Sequence, residues 1–196
     1  MRFIGITGGV GAGKSELLAF IEKHYKCRIY LADKVAFTVR MPGTKVYDEL
    51  KAIVGEEALR DNKLMAKMLF SDDKLLEKVN SIIHPAVKDY LLSELEKARK
   101  SEDVELFFVE AALLIEDGYG KFVDEMWYIY ASEDVRIKRL MEARGYSLEK
   151  AKSIMENQLS EEEFRNNSDF VIDNSKSLED SYNQIKSRLG EFTWLS

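Results

Sequence analysis

A chain of 196 residues, 45% apolar and 33% charged, can bury a full core and lacks the bias of fibrous or disordered chains, which predicts one compact fold carrying insertions. Its net charge of −6 argues against a duplex-binding protein, because nucleic-acid affinity comes mostly from neutralising phosphates with Lys and Arg; any phosphate site must be local. Apolar runs such as 106–109 and 111–115 are broken by Glu110 and Glu116 and fall far short of the roughly 20 residues that span a bilayer.

Residues 2–7 open the chain as a strand pattern, with no basic region followed by a long apolar segment and a cleavage site, so no export signal is visible. The single cysteine, Cys27, cannot form an internal disulfide and reads as a buried thiol. A reducing cytoplasm is the expected setting.

In chain order, 2–7 is a buried strand, 8–13 a glycine-rich turn, and 14 to about 25 a helix with Leu17, Leu18 and Ile21 on one face. A second strand follows at 27–31. From about 33 to 100 the pattern is helical and punctuated by Pro42-Gly43, Gly55 and His84-Pro85, the last reading as a helix boundary. Strand character returns at 104–111 and 125–131, with a helix at about 133–143. The charged stretch 144–167 carries a capping box at Ser160 and Glu163; a short strand at 169–172 and a helix capped by Ser177 and Asp180 complete the alternation. The expected architecture is an α/β fold, a parallel β-sheet flanked by helices. Its core comprises 1–32, 104–135 and 168–196, with a helical insertion at 33–103 and an arginine-bearing excursion at 136–167.

Gly8-Gly9-Val10-Gly11-Ala12-Gly13-Lys14-Ser15 satisfies G-x-x-x-x-G-K-[ST] and lies between a buried strand and a helix, where that motif works. Glycines let the backbone turn its N–H groups toward a polyphosphate, and the helix N-terminus adds partial positive charge. Lys14 then reaches the β/γ-phosphates and the Ser15 hydroxyl ligates Mg²⁺. The fold expected is therefore that of the P-loop NTPases, with Gly8, Gly9, Gly11, Ala12, Gly13, Lys14 and Ser15 binding ATP. Guanine-specific switches carry Asn-Lys-x-Asp, but the only Asn-Lys pair here, Asn62-Lys63, continues Leu64-Met65. That discounts the switch GTPases; motor ATPases, kinases of small molecules and modules gated by ATP have to be separated by other features.

A kinase needs an acceptor site facing the phosphates and a cationic lid that excludes water. Asp33 follows the second strand at its carboxyl end, where ligands of doubly wound sheets bind. It reads either as the carboxylate that accepts the acceptor's proton or as the N-cap of a helix starting at Lys34. Arg136 and Arg139 share a helix face at i,i+3 spacing, and Arg144 follows; Arg139 and Arg144 are the candidates for gripping phosphate oxygens.

The run Ile4 to Ser15 resembles the opening of the dephospho-coenzyme A kinases, and Ala32-Asp33-Lys34 stands where that family places its Asp-containing motif. Further matches follow in order: Pro42-Gly43-Thr44, Tyr47, Val54-Gly55, Ile83-His84-Pro85, Leu113-Leu114-x-Glu116, Arg139-Leu140, Gln158, Asp169 and Ile172-Asp173-Asn174. The resemblance implies transfer of the γ-phosphate of ATP to the ribose 3′-hydroxyl of dephospho-coenzyme A, with Mg²⁺, Lys14, Asp33 and Arg139 as catalytic groups, and 136–167 as the lid. It also implies Asp33, His84 and Glu116 as acceptor contacts, and Glu16 beside the phosphates, where the family commonly has Thr. Glu110 stands in place of an aspartate near Mg²⁺, and the Pro that usually follows is missing. No nucleic acid, membrane or obligatory protein partner is implied. The nearest alternatives are kinases of the nucleoside monophosphate or gluconate type.

Overall fold

The computed structural model describes residues 1–190 and Phe192. Strand β1 (Arg2–Thr7) leads into helix α1 (Lys14–His24), then β2 (Cys27–Leu31). Four helices follow, α2 (Ala32–Val39), α3 (Lys45–Arg60), α4 (Asn62–Ser71) and α5 (Asp73–Arg99). The alternation resumes with β3 (Leu106–Glu110), a 3₁₀ turn (Tyr119–Lys121), β4 (Glu125–Tyr130), α6 (Glu133–Arg144), α7 (Leu148–Glu156), α8 (Glu161–Asn166), β5 (Phe170–Asp173) and α9 (Leu178–Arg188).

The strands form one sheet in the order β2-β3-β1-β4-β5, and β1 pairs in parallel with both β3 and β4, as β4 does with β5. Helices flank it, giving the α/β fold of the P-loop NTPases. Parallel strands covered on both faces need near-continuous apolar runs, and that is what β1, β3 and β4 supply. Phe3, Ile4, Ile6, Phe107, Phe108, Trp127 and Ile129 are all buried, each worth about 1.5–3 kcal/mol. The indole N–H of Trp127 is not stranded there, since it donates to Glu125 Oε2 at 2.8 Å. The register Ile6↔Glu110 and Thr7↔Tyr128 brings the carboxyl ends of β1, β3 and β4 to one edge of the sheet, where the glycine-rich loop begins.

The chain divides into two compact units, one made of Met1–Ile29 with the chain from Ala98 onward, the other of Tyr30–Lys97. The 136–167 excursion falls within the first. The second unit is helical and has its own core of Leu50, Val54, Ala58, Met65 and Val79. Within it, Gly55 adopts φ 81 and ψ 159, which interrupts α3 with a backbone conformation that a side-chain-bearing residue rarely adopts. Cys27 is partly buried, and burial with nearby Glu22 pushes its thiol up to about 12, so it stays protonated and unreactive.

Two local expectations are corrected. The helix after β2 begins at Ala32, not Lys34, and its N-cap is Leu31 with no side-chain cap; Asp33 lies inside the first turn and caps nothing. His84-Pro85 does not end a helix, because α5 runs through Pro85 to Arg99. A 27-residue helix absorbs the missing N–H and its unmatched carbonyl, as proline-containing helices in packed surroundings can. The capping boxes at Ser160/Glu163 and Ser177/Asp180 are both formed.

Candidate active site

The loop from Gly8 to Gly13 ends in the N-cap of α1. Gly13 has left-handed backbone (φ 89, ψ 23), and a Cβ there would come within 2.4 Å of Asn174 Nδ2, so conformation and space both require glycine. No side chain caps this helix; its Glu16 amide donates to the Gly13 carbonyl at 3.2 Å, and the helix dipole adds partial positive charge where the loop ends. Lys14 Nζ donates to the Gly8 carbonyl at 2.6 Å and lies 3.5 Å from Glu110 Oε1. The ammonium therefore folds back across the loop, with only 15% of its side chain exposed.

Two further loop carbonyls, those of Val10 and Ala12, are held from the other side. Arg136 Nε donates to the Val10 carbonyl at 2.8 Å, and Arg139 Nη1 to that of Ala12 at 3.2 Å. The fully buried Asn174 also donates to the Ala12 carbonyl, at 2.8 Å, while its own Oδ1 accepts from Ser181. Gln158 Oε1 accepts from the Val10 amide at 3.0 Å and from Arg136 Nη2 at 2.7 Å. With its carbonyls tied outward by α6 and the end of β5, the loop holds its shape without a ligand having to impose it. Burial pushes the Arg136 guanidinium down from the ordinary arginine range, with Tyr128 and Glu133 pulling the other way. A cavity of about 360 Å³ lined by Tyr128, Tyr130, Met155 and Leu159 has Arg136 on its wall.

The structure brings Gly8, Gly9, Gly11, Ala12, Gly13, Lys14, Glu110 and Arg139 together at the loop. Ser15 is exposed in the first turn of α1. Glu16 accepts from the Tyr182 hydroxyl at 3.3 Å, and that ring stacks on Phe20. Arg144, in the last turn of α6, is exposed and takes no part in the carbonyl network, and Glu116 is exposed beyond β3. Asp33 and His84 belong to the helical unit, Asp33 exposed on α2 and His84 partly buried on α5. Arg136, rather than Arg144, is the second arginine on the loop, and the i,i+3 spacing that set it on one face with Arg139 was the available signal. Asn174 and Gln158 matched a family pattern in the sequence, yet nothing local revealed their contacts.

A family model described as dephospho-CoA kinase matches residues 2–180. A dephospho-CoA kinase of Aquifex aeolicus is 36% identical over 200 residues, covering 98% of each chain. The chain belongs to the dephospho-CoA kinase family. The crystal structure of a Thermus thermophilus protein, 31% identical, superposes with a TM-score of 0.81 over 98% of both chains. A dephospho-CoA kinase from Campylobacter jejuni, 23% identical, gives 0.70 over 96% of each and so supports the fold.

As a member of that family the chain is a kinase, with ATP as the phosphoryl donor. No helix among the described residues is long and apolar enough to cross a membrane. Arg139 spans two backbone carbonyls, Ala12 and Asn174 (2.9 Å), with the planar fork of its guanidinium. Lysine keeps the charge but loses the planar fork whose fixed geometry meets both carbonyls. Arg139→Lys is expected to lose about tenfold in kcat/KM for ATP, with melting lowered by a few degrees. Loss of one charge-assisted hydrogen bond is worth about 1.5–3 kcal/mol. Unchanged kinetics alongside that lower melting temperature would make Arg139 a structural tie and nothing more.

Proposed function

We propose that this chain transfers the γ-phosphate of ATP to the ribose 3′-hydroxyl of dephospho-coenzyme A, giving coenzyme A and ADP. The observation that carries the reading is the loop itself: an uncapped helix N-terminus and Lys14 drawn to Gly8 and Glu110 form a cradle for a polyphosphate. In the step, the acceptor oxygen forms a bond to the γ-phosphorus as the bond to the β,γ-bridging oxygen breaks, and ADP leaves with that electron pair. The hydroxyl proton passes to the Asp33 carboxylate. Lys14 meets charge on the β/γ-oxygens, Arg139 fixes the loop beside them, and Arg144 and Glu16 are the outer ATP contacts. His84 and Glu116 are assigned to the acceptor through the family resemblance, and 136–167 to the lid.

The donor set fits Mg²⁺, because the Ser15 hydroxyl and the Glu110 carboxylate are hard oxygen ligands of the kind this ion combines with phosphate oxygens and water. When bound, it would neutralise charge on the transferring group. The formal charge of −6 favours a small-molecule substrate over nucleic acid, and the reading places the enzyme in the cytoplasm without an obligatory protein partner.

The test is a coupled assay of ADP release with dephospho-coenzyme A, nucleoside monophosphates and gluconate as acceptors. Dephospho-coenzyme A is expected to lead by at least about 10²-fold in kcat/KM, and excess chelator to abolish the rate. Turnover on another acceptor would move the chain's substrate, and tight ATP binding with no acceptor-dependent turnover would make it a gated module. Full activity in chelator would remove the metal.

A further inference from the structure

Val10 has both of its backbone polar atoms held by side chains from the 136–167 segment. Its amide donates to Gln158 Oε1 at 3.0 Å, its carbonyl accepts from Arg136 Nε at 2.8 Å, and Arg136 Nη2 closes the ring on the same Gln158 oxygen at 2.7 Å. Both groups facing that oxygen are donors, so the side-chain amide of Gln158 must present its carbonyl there. Gln158 lies just past the end of α7 and Arg136 on α6, so the ring ties two elements of the excursion to one residue of the loop.

The guanidinium also packs over Gly9, where a Cβ would come within 2.3 Å of Nη2. It is partly buried, and among the described residues it forms no ion pair; its hydrogen-bond partners are the uncharged Val10 carbonyl and Gln158. A half-buried cation whose hydrogen-bond partners are both uncharged, with Glu133 acting on it only through space, carries a desolvation cost that an incoming anion can recover. The ring keeps that cation beside the phosphate loop instead of letting it swing into water.

We propose that Gln158 is a positioning residue for ATP: by accepting from both Val10 and Arg136 it fixes the Val10 peptide and holds the Arg136 charge against Gly9 before nucleotide arrives. A preformed cradle avoids an ordering cost on binding, so the effect belongs to nucleotide affinity and not to the chemical step. The inference rests on the Gly8–Ser15 loop being the ATP site.

The experiment measures the Kd for ATP without acceptor, steady-state kinetics and melting temperature for Gln158→Met, Arg136→Met, the double variant and Lys14→Ala. Gln158→Met keeps side-chain length and removes the acceptor. Each of the Gln158 and Arg136 variants is expected to weaken ATP about tenfold, with kcat at saturating ATP and KM for dephospho-coenzyme A within about twofold of wild type. Because both act through one ring, the double variant should lose about as much as either single one and not the product of the two. Wild-type ATP affinity in Gln158→Met, or multiplicative losses, overturns the proposal whatever happens to melting. If Gln158→Met does not fold, wild-type affinity in Arg136→Met overturns it equally. ATP binding lost in Lys14→Ala but intact in Gln158→Met refutes the role of Gln158 alone, whereas binding intact in both refutes the loop as the ATP site.

Discussion

Lys14→Ala is expected to lower kcat by at least about 10²-fold, in the range of about 2.7–4 kcal/mol that a preorganised electrostatic group supplies to a transition state. The ammonium sits between the Gly8 carbonyl at 2.6 Å and Glu110 at 3.5 Å, so it is already folded over the loop. Alanine removes the charge without touching the glycines that shape the backbone. Stability should change little, because one partly exposed ion pair is worth about 0–1 kcal/mol. Steady-state kinetics and thermal melting of the variant decide the matter. A variant keeping more than about a tenth of the wild-type rate would mean that Lys14 does not supply the charge stabilisation assigned to it.

Much of this fold is written locally. The runs in β1, β3 and β4 are apolar because both faces of a parallel strand are covered, and that pattern is visible in any short window. The loop is legible for the same reason: strand, glycines, Lys14 and helix all lie within residues 2–24. What surrounds the loop was not legible. Val10 meets Arg136 126 residues away and Gln158 148 residues away, and Ala12 meets Asn174 at a separation of 162. Periodicity carries no information at such distances: the i,i+3 spacing sets Arg136 on one face with Arg139 but does not reveal Val10 as its partner, and general chemistry alone favours Arg144. At Pro85 the local rule was sound but tertiary packing of a long helix overrode it. At Asp33 the rule for N-caps was one residue pair out of place, since the helix starts at Ala32 with Leu31 as its cap.

That shift changes what an Asp33 variant can report. Had the carboxylate capped α2, replacing it would have confounded lost chemistry with about 0.5–2 kcal/mol of lost helix stability. With Leu31 as the N-cap and no side-chain cap, Asp33 contributes only the favourable placement of a negative charge in the first turn, about 0.3–1 kcal/mol and screened by salt. Asp33→Asn is therefore expected to melt within a few degrees of wild type. If Asp33 accepts the acceptor's proton, kcat should fall by about 10²-fold, the lower part of the range for a general base. A loose phosphoryl-transfer transition state asks little of the base until late, so positioning retains the larger share. KM for dephospho-coenzyme A should move much less than kcat, because the amide keeps the shape of the carboxylate and can still hydrogen-bond a hydroxyl. Replacing Asp33 with Ala, which removes that hydrogen bond too, should raise KM as well. The decisive comparison is kcat for the Asn variant at saturating acceptor and ATP. A value within about threefold of wild type would leave Asp33 as a charge on a helix, and the proton acceptor would have to be sought among other carboxylates.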